Sequence, residues 1–167
     1  MSEIIECEFG SLTKAYKEGK KFYVDKEDYE RYVKGYKFAM MNNNNNYVKY
    51  SSAKDGLRNK LLHRVIMNCP DDRVIDHIDH NPLNNSRSNL RIVTQHQNMM
   101  NLSKYKTNTS GVVGVYWQKA SEKWHVRIRL NNKTIHLGYF DNLEDACKAR
   151  KEGEIKYFGE YRNKDNE

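Results

Sequence analysis

Residues 75–101 read IDHIDHNPLNNSRSNLRIVTQHQNMMN, and this polar stretch determines how the middle of the chain folds. It begins with an acid and an imidazole side by side, Asp76 and His77, and an amide follows twelve residues after His77 at Asn89. A further amide, Asn98, comes twenty-one residues after His77. A carboxylate, an imidazole and amides that converge can hold one hard divalent ion and deprotonate one water. These are the groups that hydrolysis of a phosphodiester needs.

The same stretch predicts two strands followed by a helix. Residues 73–77 and 89–93 have strand character, and the polar segment 81–88 is predicted to be the loop between them. Thr94 begins a capping-box pattern, so a helix is predicted from the next residue and would hold Asn98 in its first turn. Such a ββα unit is too small to be stable alone.

These residues and spacings resemble the HNH endonucleases, specifically the phage and intron-encoded homing type. The family's Asp-His element stands at Asp76 and His77, its Asn-Leu-Arg element begins at Asn89, and its last position is Asn98. The Leu-His-Arg that precedes the motif in such proteins stands at residues 62–64. The resemblance implies a ββα-metal finger that leaves 5′-phosphate and 3′-hydroxyl ends.

The resemblance also implies a role for each residue. His77 would activate water as the general base, Asp76 and Asn98 would hold one divalent ion, and Asn89 would orient His77. Mg²⁺ is the expected ion, with Mn²⁺ as the alternative, and no small-molecule cofactor is expected. His80 repeats the imidazole three residues later, but the spacing to both amides favours His77 as the base.

Three further side chains near the motif are open to two interpretations. His63 and Arg64 could contact phosphate or could simply support the finger, and Arg64 is kept as a candidate for DNA binding. His96 is predicted to be an exposed helix residue rather than a ligand.

The C-terminal third of the chain carries a second pattern. Strands are predicted over 114–118, 123–130 and 133–138, with a tight turn at 131–132. A helix is predicted to follow the cap Asn142 and to end near residue 158, with Gly153 weakening its middle. The apolar face predicted for this helix consists of Leu143, Ala146, Cys147, Ile155 and Phe158.

This pattern resembles the ethylene-response-factor type of DNA-binding domain found in plants, over residues 108–162. The segments that carry the resemblance are GVYW at 114–117, WHVRIR at 124–129, IHLGYF at 135–140 and LEDA at 143–146. The fold that it implies is a three-stranded antiparallel sheet packed on one helix, with the sheet lying in the major groove of DNA.

The middle strand offers the strongest candidates for DNA contact. Arg127 and Arg129 alternate with aliphatic residues, so the two arginines share one face of the strand. Arginine is also the commonest reader of guanine edges. The weaker candidates are Lys133, His136, Trp117 and Trp124. A tryptophan in so small a domain could equally belong to the core.

Residues 1–58 form the least informative part of the sequence. A strand over 21–24 and a helix over 26–34, capped by Asp25, are predicted. Strand-like runs at 36–41 and 47–51 flank five consecutive asparagines and predict a hairpin. The whole chain is therefore predicted to be α+β, with boundaries that give an N-terminal α+β segment (1–58), the nuclease finger (59–102), a basic linker (103–111) and the DNA-binding domain (112–162).

Composition and charge limit the classes of partner. The net charge is +7, and residues 103–140 hold seven Lys or Arg residues and one acid. In the rest of the chain the positive and negative charges nearly cancel. A local basic patch indicates a polyanion such as double-stranded DNA, although a solvated lysine-rich face is the simpler alternative. No apolar run is long enough to cross a bilayer, and no export signal is evident. The three separated cysteines favour a reducing compartment, the cytoplasm of the host cell if the protein is viral.

The predicted function is a site-specific, metal-dependent DNA endonuclease of the homing type. One finger per chain favours nicking by a monomer on DNA. Two alternatives remain: a DNA-binding regulator that retains the scaffold without catalysis, and an RNA-binding accessory protein.

Overall fold

The structure, a computed structural model, describes residues 2–41, 45–52, 54–101, 108–131 and 133–162. It consists of two compact units, Met1–Thr94 and Gln95–Glu167. The boundaries predicted after residues 58 and 102 do not coincide with this division. Within the described ranges, no helix is both long enough and apolar enough to cross a bilayer.

The described part of the first unit contains three antiparallel pairs of short strands. The strands, numbered in chain order, are β1 (Ile4–Glu8), β2 (Lys21–Asp25), β3 (Phe38–Met40), β4 (Val48–Tyr50), β5 (Val74–His77) and β6 (Leu90–Val93). β1 pairs with β2, β3 with β4, and β5 with β6. The α-helices are α1 (Lys14–Lys17), α2 (Lys26–Asp28) and α3 (Leu62–Ile66), with a π-helical turn at Tyr29–Val33 and 3₁₀ turns at Lys54–Gly56 and Arg87–Asn89.

The elements predicted for the first unit are largely confirmed. β3 and β4 form the predicted hairpin, in which Phe38 lies opposite Tyr50. Residues 42–44 of the asparagine run lie outside the described residues. The predicted helix over 26–34 starts in the right place but continues as the π-helical turn. β1 was not predicted.

Asp25 stands at the predicted N-cap position of α2, but its side chain makes no capping hydrogen bond there. Its carboxylate instead accepts hydrogen bonds from the Ser2 hydroxyl and, at 2.7 Å, from the backbone N–H of Arg87. Beside it, Arg87 forms a bidentate pair with the buried Asp28 carboxylate, at 2.7 and 2.9 Å. The loop between β5 and β6 is therefore attached to the N-terminal segment.

A single hydrophobic core joins the predicted N-terminal segment to the predicted finger. Aromatic rings form a continuous series through its centre, Phe9, Phe22, Phe38 and Tyr50, with successive centroids 5.2, 5.1 and 4.8 Å apart. The same cluster contains side chains of α3, β5 and β6, namely Leu62, Ile66, Ile75 and Leu90. Because a two-stranded hairpin is marginal on its own, β5 and β6 gain their stability from this shared core.

The second unit contains the predicted three-stranded antiparallel sheet packed on one helix. Its elements are α4 (Gln95–Asn98), β7 (Val115–Gln118), β8 (Lys123–Leu130), β9 (Lys133–Phe140) and α5 (Leu143–Phe158), with 3₁₀ turns at Met99–Asn101 and Gly159–Tyr161. The strand order is β7-β8-β9. Asn142 caps α5 by accepting the backbone N–H of Asp145 at 2.8 Å, as its position predicted.

The buried face of α5 differs from the prediction. Ile155, assigned to that face, is 54% exposed. Gly153, expected only to weaken the helix, is instead buried at the closest approach of helix and sheet. A Cβ atom there would lie 2.4 Å from a methyl group of Leu137 and 2.8 Å from one of Ile128. The glycine allows the helix to pack closely.

A buried arginine occupies the rest of this helix face. Arg150 donates to the Glu154 carboxylate at 2.7 Å and to the backbone carbonyl of Arg127, and its guanidinium lies 5.5 Å from the centre of the Phe158 ring. Gly114, which precedes β7, passes directly beside this group with φ of +77°. Arg150 thus links the helix, the middle strand and the start of the sheet.

An irregularity in the pairing of β8 with β9 redirects two side chains. Val126 lies opposite Gly138 and the next residue lies opposite His136, so Leu137 has no counterpart in β8. Gly138 has φ of +137°, a conformation that L side chains rarely adopt. As a result Leu137 packs into the core, while His136 and Tyr139 are exposed on the opposite face.

Candidate functional site

The acid and the imidazole of the motif lie at the end of β5. His77 is the last residue of the strand and lies opposite Leu90, and Asp76 lies opposite Arg91. Neighbouring residues of a regular strand face opposite sides, so both side chains can serve one site only where the strand ends. The structure meets this condition at His77.

His77 is enclosed by two other rings. It is 6% exposed, stacks on Tyr47 with centroids 5.9 Å apart, and meets His63 edge-on at 5.2 Å. Burial lowers the pKa of His77, against the opposing effects of a side-chain hydrogen bond with Asn85 and of two nearby carboxylates. The imidazole is therefore neutral at neutral pH, the form that can accept a proton.

Asp76 is paired with an arginine of the neighbouring strand. Arg91 places Nε 2.7 Å and one terminal nitrogen 2.6 Å from Oδ2 of Asp76, and the carboxylate is buried. A buried carboxylate is stabilised by such a partner. The ion pair with Arg91 thus holds the Asp76 carboxylate at the end of β5.

Asn89 organises the loop that follows β5. Its amide nitrogen donates to the Asp79 carboxylate and to the Asn84 carbonyl, both at 2.8 Å, and its oxygen accepts the backbone N–H of Asp79 at 3.0 Å. In addition, the backbone N–H of Ile78 donates to the Asn89 carbonyl at 2.9 Å. The bonds across the loop are present, whereas the orienting effect of Asn89 on His77 stays a prediction.

The structure separates the two interpretations of Arg64. Its guanidinium donates to three carbonyl oxygens in the segment after α3, those of Cys69, Pro70 and Arg73, at 3.3, 2.8 and 2.9 Å. This arrangement favours support of the finger, and a phosphate contact stays a prediction.

The remaining polar candidates of the motif occupy different positions. His80 sits in a turn with φ of +58° and donates its backbone N–H to the His77 carbonyl at 3.0 Å. His96 is exposed in α4, as predicted. Asn98 is the last residue of α4 and belongs to the second unit, so its sharing of an ion with Asp76 stays a prediction.

The sheet of the second unit shows the predicted alternation. Arg127 and Arg129 are exposed, and the intervening Ile128 is fully buried. Lys133 and His136 are exposed as well. Trp124 packs against the core, which favours a structural role. Trp117 lies opposite Trp124 in the register, with the rings 5.3 Å apart, and is 43% exposed; DNA contact by either tryptophan stays a prediction.

Comparison with known proteins places the β5–β6 motif in a family. Residues 60–100 match the sequence model of the family described as HNH endonuclease. These residues are an HNH endonuclease domain.

Two viral proteins share longer regions with the chain. Protein 3.8 of Escherichia phage T7 is 39% identical over 75 residues, which are 45% of this chain and 62% of the relative. A protein of Acanthamoeba polyphaga mimivirus, named as an uncharacterized HNH endonuclease, is 47% identical over 107 residues, 60% of this chain and 54% of the relative. The chain therefore covers less than two thirds of either relative. No solved structure matches it significantly.

The donor atoms of the HNH domain fit a hard divalent ion. Among the residues that the structure describes, no three His, Cys, Asp or Glu side chains cluster as metal ligands. Mg²⁺ does not require such a cluster, because it is usually held by one or two carboxylates together with waters and substrate phosphates. The buried Asp76 carboxylate is a donor of this kind, and the metal-binding role of Asn98 stays a prediction.

Several residues of the HNH domain and its surroundings escaped the sequence analysis. Tyr47 stacks on His77 but lies thirty residues earlier, so no local pattern connects the two. Arg91 had no role beyond its place in the Asn-Leu-Arg element, and Asp79 had none. The register between β5 and β6 places Arg91 opposite Asp76, and the sequence alone does not define this register.

We predict that His63 makes the first unit sensitive to acid. Burial, together with the smaller electrostatic effects of His77 and Arg64, lowers the pKa of His63 to about 3. Below about pH 6.5 the unfolded chain binds a proton that the folded unit does not, so stability should fall by about 1.4 kcal/mol per pH unit towards pH 3. Replacing His63 with phenylalanine should reduce this slope in urea unfolding followed by circular dichroism, leaving the part that the buried His77 contributes. An unchanged slope would contradict the assignment.

Proposed function

We propose that this protein is a divalent-metal-dependent DNA endonuclease whose HNH domain cuts and whose C-terminal sheet binds duplex DNA. The observation that carries this proposal is the position of His77, neutral and enclosed at the end of β5 beside the Asp76 carboxylate. It lies inside the residues that match the HNH endonuclease family.

The proposed mechanism assigns each residue one task. His77 accepts a proton from water as the water attacks phosphorus, and Tyr47 and His63 limit rotation of its ring. Asn89 closes the loop that follows His77, and Arg91 holds Asp76 through their ion pair. Asp76 and Asn98 would hold the divalent ion. The ion, when bound, supplies positive charge for the phosphate and for the departing 3′ oxygen.

The products would be 5′-phosphate and 3′-hydroxyl ends. With one HNH domain per chain, we propose a monomer that nicks one strand at a specific site. We further propose that the nuclease is of the homing type. Both relatives are viral proteins, which supports action in the cytoplasm of an infected host cell.

The exposed arginines of β8 are the proposed source of DNA affinity. Replacing Arg129 with alanine should weaken duplex binding and lower the slope of log affinity against log salt by about 0.9 if the side chain neutralises one phosphate. The matched control is Lys151→Ala, which removes the same charge from the exposed surface of α5. Fluorescence anisotropy at several salt concentrations measures both variants. Equal losses for the two would show that only net charge matters.

Metal-dependent nicking of supercoiled plasmid tests the proposed function. We expect relaxed circles with Mg²⁺ or Mn²⁺ at low salt, and none with EDTA. End-labelling of the nicked strand should reveal 5′-phosphate and 3′-hydroxyl groups. Binding without cleavage on a panel of DNA targets would favour the regulator, and preference for RNA over duplex DNA in competition would favour the RNA-binding protein.

A further inference from the structure

A cluster of ring and guanidinium side chains stands on the exposed face of the C-terminal sheet. In the register of the sheet, His125 of β8 lies opposite Tyr116 of β7 on one side and Tyr139 of β9 on the other. Arg127 of β8 lies opposite His136 of β9. The residues that alternate with them, such as Val126, pack on α5. The cluster is therefore on the face that carries the proposed DNA contacts.

Two histidines of this cluster are joined by a direct hydrogen bond. Nε2 of His125 lies 2.8 Å from Nδ1 of His136. The ring planes differ by 4° and the centroids are 4.9 Å apart. At 2.8 Å the nitrogens are closer than the roughly 3.5 Å at which two stacked rings touch. The imidazoles therefore meet edge to edge in a common plane.

His125 is held in place on its other sides. The Tyr116 hydroxyl bonds to its Nδ1, and Tyr139 stacks on its ring with centroids 4.4 Å apart and planes 12° apart. Although it is on the outer face of the sheet, His125 is only 4% exposed. Both of its nitrogens are used, while His136 at the end of the series is exposed.

This series of bonds can take up one proton without movement of heavy atoms. A neutral imidazole has one N–H donor and one acceptor nitrogen. The hydrogen bonds between Tyr116, His125 and His136 can therefore all be donated towards His136 or all towards Tyr116. With one added proton, His136 donates to His125, His125 donates to Tyr116, and His136 gains a second N–H donor. The extra charge then resides at the exposed end of the series.

Because of the surrounding positive charges, uptake of this proton depends on a bound anion. Burial lowers the pKa of His125, and the charges of His136 and Arg127 lower it further. The Arg127 guanidinium lies 4.8 Å from the centre of the Tyr116 ring, next to the series. The Arg127 guanidinium repels an added proton, and a phosphate bound beside it would offset that repulsion. Ligand and proton would thus each favour the binding of the other.

We propose that Arg127 and the His125–His136 pair form a phosphate site for duplex DNA that takes up one proton from solvent when it binds. This inference rests on the proposed function, in which the sheet contacts DNA. It adds that the affinity is set by pH through a defined pair of side chains.

The test measures duplex binding by the full chain in EDTA, so that no cleavage occurs. Between about pH 8 and pH 6, the affinity of the wild-type protein should rise by up to about tenfold per pH unit at constant ionic strength. Calorimetry in buffers with different heats of ionisation should count about one proton taken up per site. His136→Gln, an exposed position, should abolish both effects, and His125→Phe should do the same if circular dichroism shows it folded.

Two controls separate this proposal from general charge effects. His96→Gln removes an exposed histidine of the same unit and should leave the pH dependence unchanged. Lys133→Ala should weaken binding by the same factor at every pH. A full pH dependence or proton count in His136→Gln would overturn the proton-coupled site while leaving the endonuclease intact. Failure of the wild-type protein to bind duplex DNA at any pH would overturn the DNA-binding role itself.

Discussion

Replacing His77 with alanine is expected to reduce plasmid nicking by about 10²–10⁴-fold. The variant loses the group that accepts the proton of the attacking water. His63, which meets His77 edge-on, is itself held neutral but is 3% exposed and cannot take up that position without movement of α3. Initial rates of nicking at saturating Mg²⁺ measure the loss.

The matched control is His80→Ala, which removes the second imidazole of the motif. His80 occupies the turn after β5 and should be dispensable for proton transfer. Duplex binding should be unchanged in both variants, since neither lies in the C-terminal sheet. Nicking that survives in His77→Ala and disappears in His80→Ala would reverse the assignment of the base.

Replacing Gly114 with alanine is expected to destabilise the second unit by about 3 kcal/mol or more. The left-handed backbone conformation costs an L residue about 1–2 kcal/mol, and overpacking adds about 1–3 kcal/mol. The new Cβ would lie 2.4 Å from the Arg127 carbonyl oxygen and 2.5 Å from a guanidinium nitrogen of Arg150. Since one of these atoms is backbone, the clash cannot be relieved by a change of rotamer.

Gly111 provides the control for backbone conformation. It has the same φ of +77°, but a Cβ there would meet nothing within 4 Å. Gly111→Ala should therefore cost only the conformational term, about 1–2 kcal/mol. Both tryptophans of the chain lie in the second unit, so their fluorescence during urea unfolding reports this unit selectively. Equal losses for the two alanine variants would contradict the steric argument.

Local periodicity was sufficient to predict most elements of the fold. The alternation in β8 and the N-cap of α5 depend on neighbours in sequence, and both are confirmed. The face of α5 was predicted only in part, since Ala146 and Phe158 are buried as expected but Ile155 is exposed. The burial of Gly153 and Arg150 was missed, because it depends on contacts with a sheet that is distant in sequence. The extra residue in β9 also escaped notice, since only the register with β8 reveals it.

The candidate site shows the same limit. The spacing of Asp76, His77 and Asn89 identified the motif, because these residues are connected by one short loop. The stacking of Tyr47 on His77 could not be found from spacing, and neither could the ion pair of Asp28 with Arg87. Both contacts join residues that are far apart in the sequence of the first unit. The sequence indicated the candidate chemistry. The tertiary contacts that support it could be identified only from the structure.

The shared core of the first unit has a consequence for anyone who wishes to transplant the cutting activity. A fusion protein that carried only residues 60–100 would present Leu62, Ile66 and Leu90 to solvent, and Arg87 would lack its acidic partner. Such a graft should aggregate or be degraded. The smallest portable module is therefore Met1–Thr94, more than twice the length that the family pattern suggests, extended through Asn98 to retain the last amide.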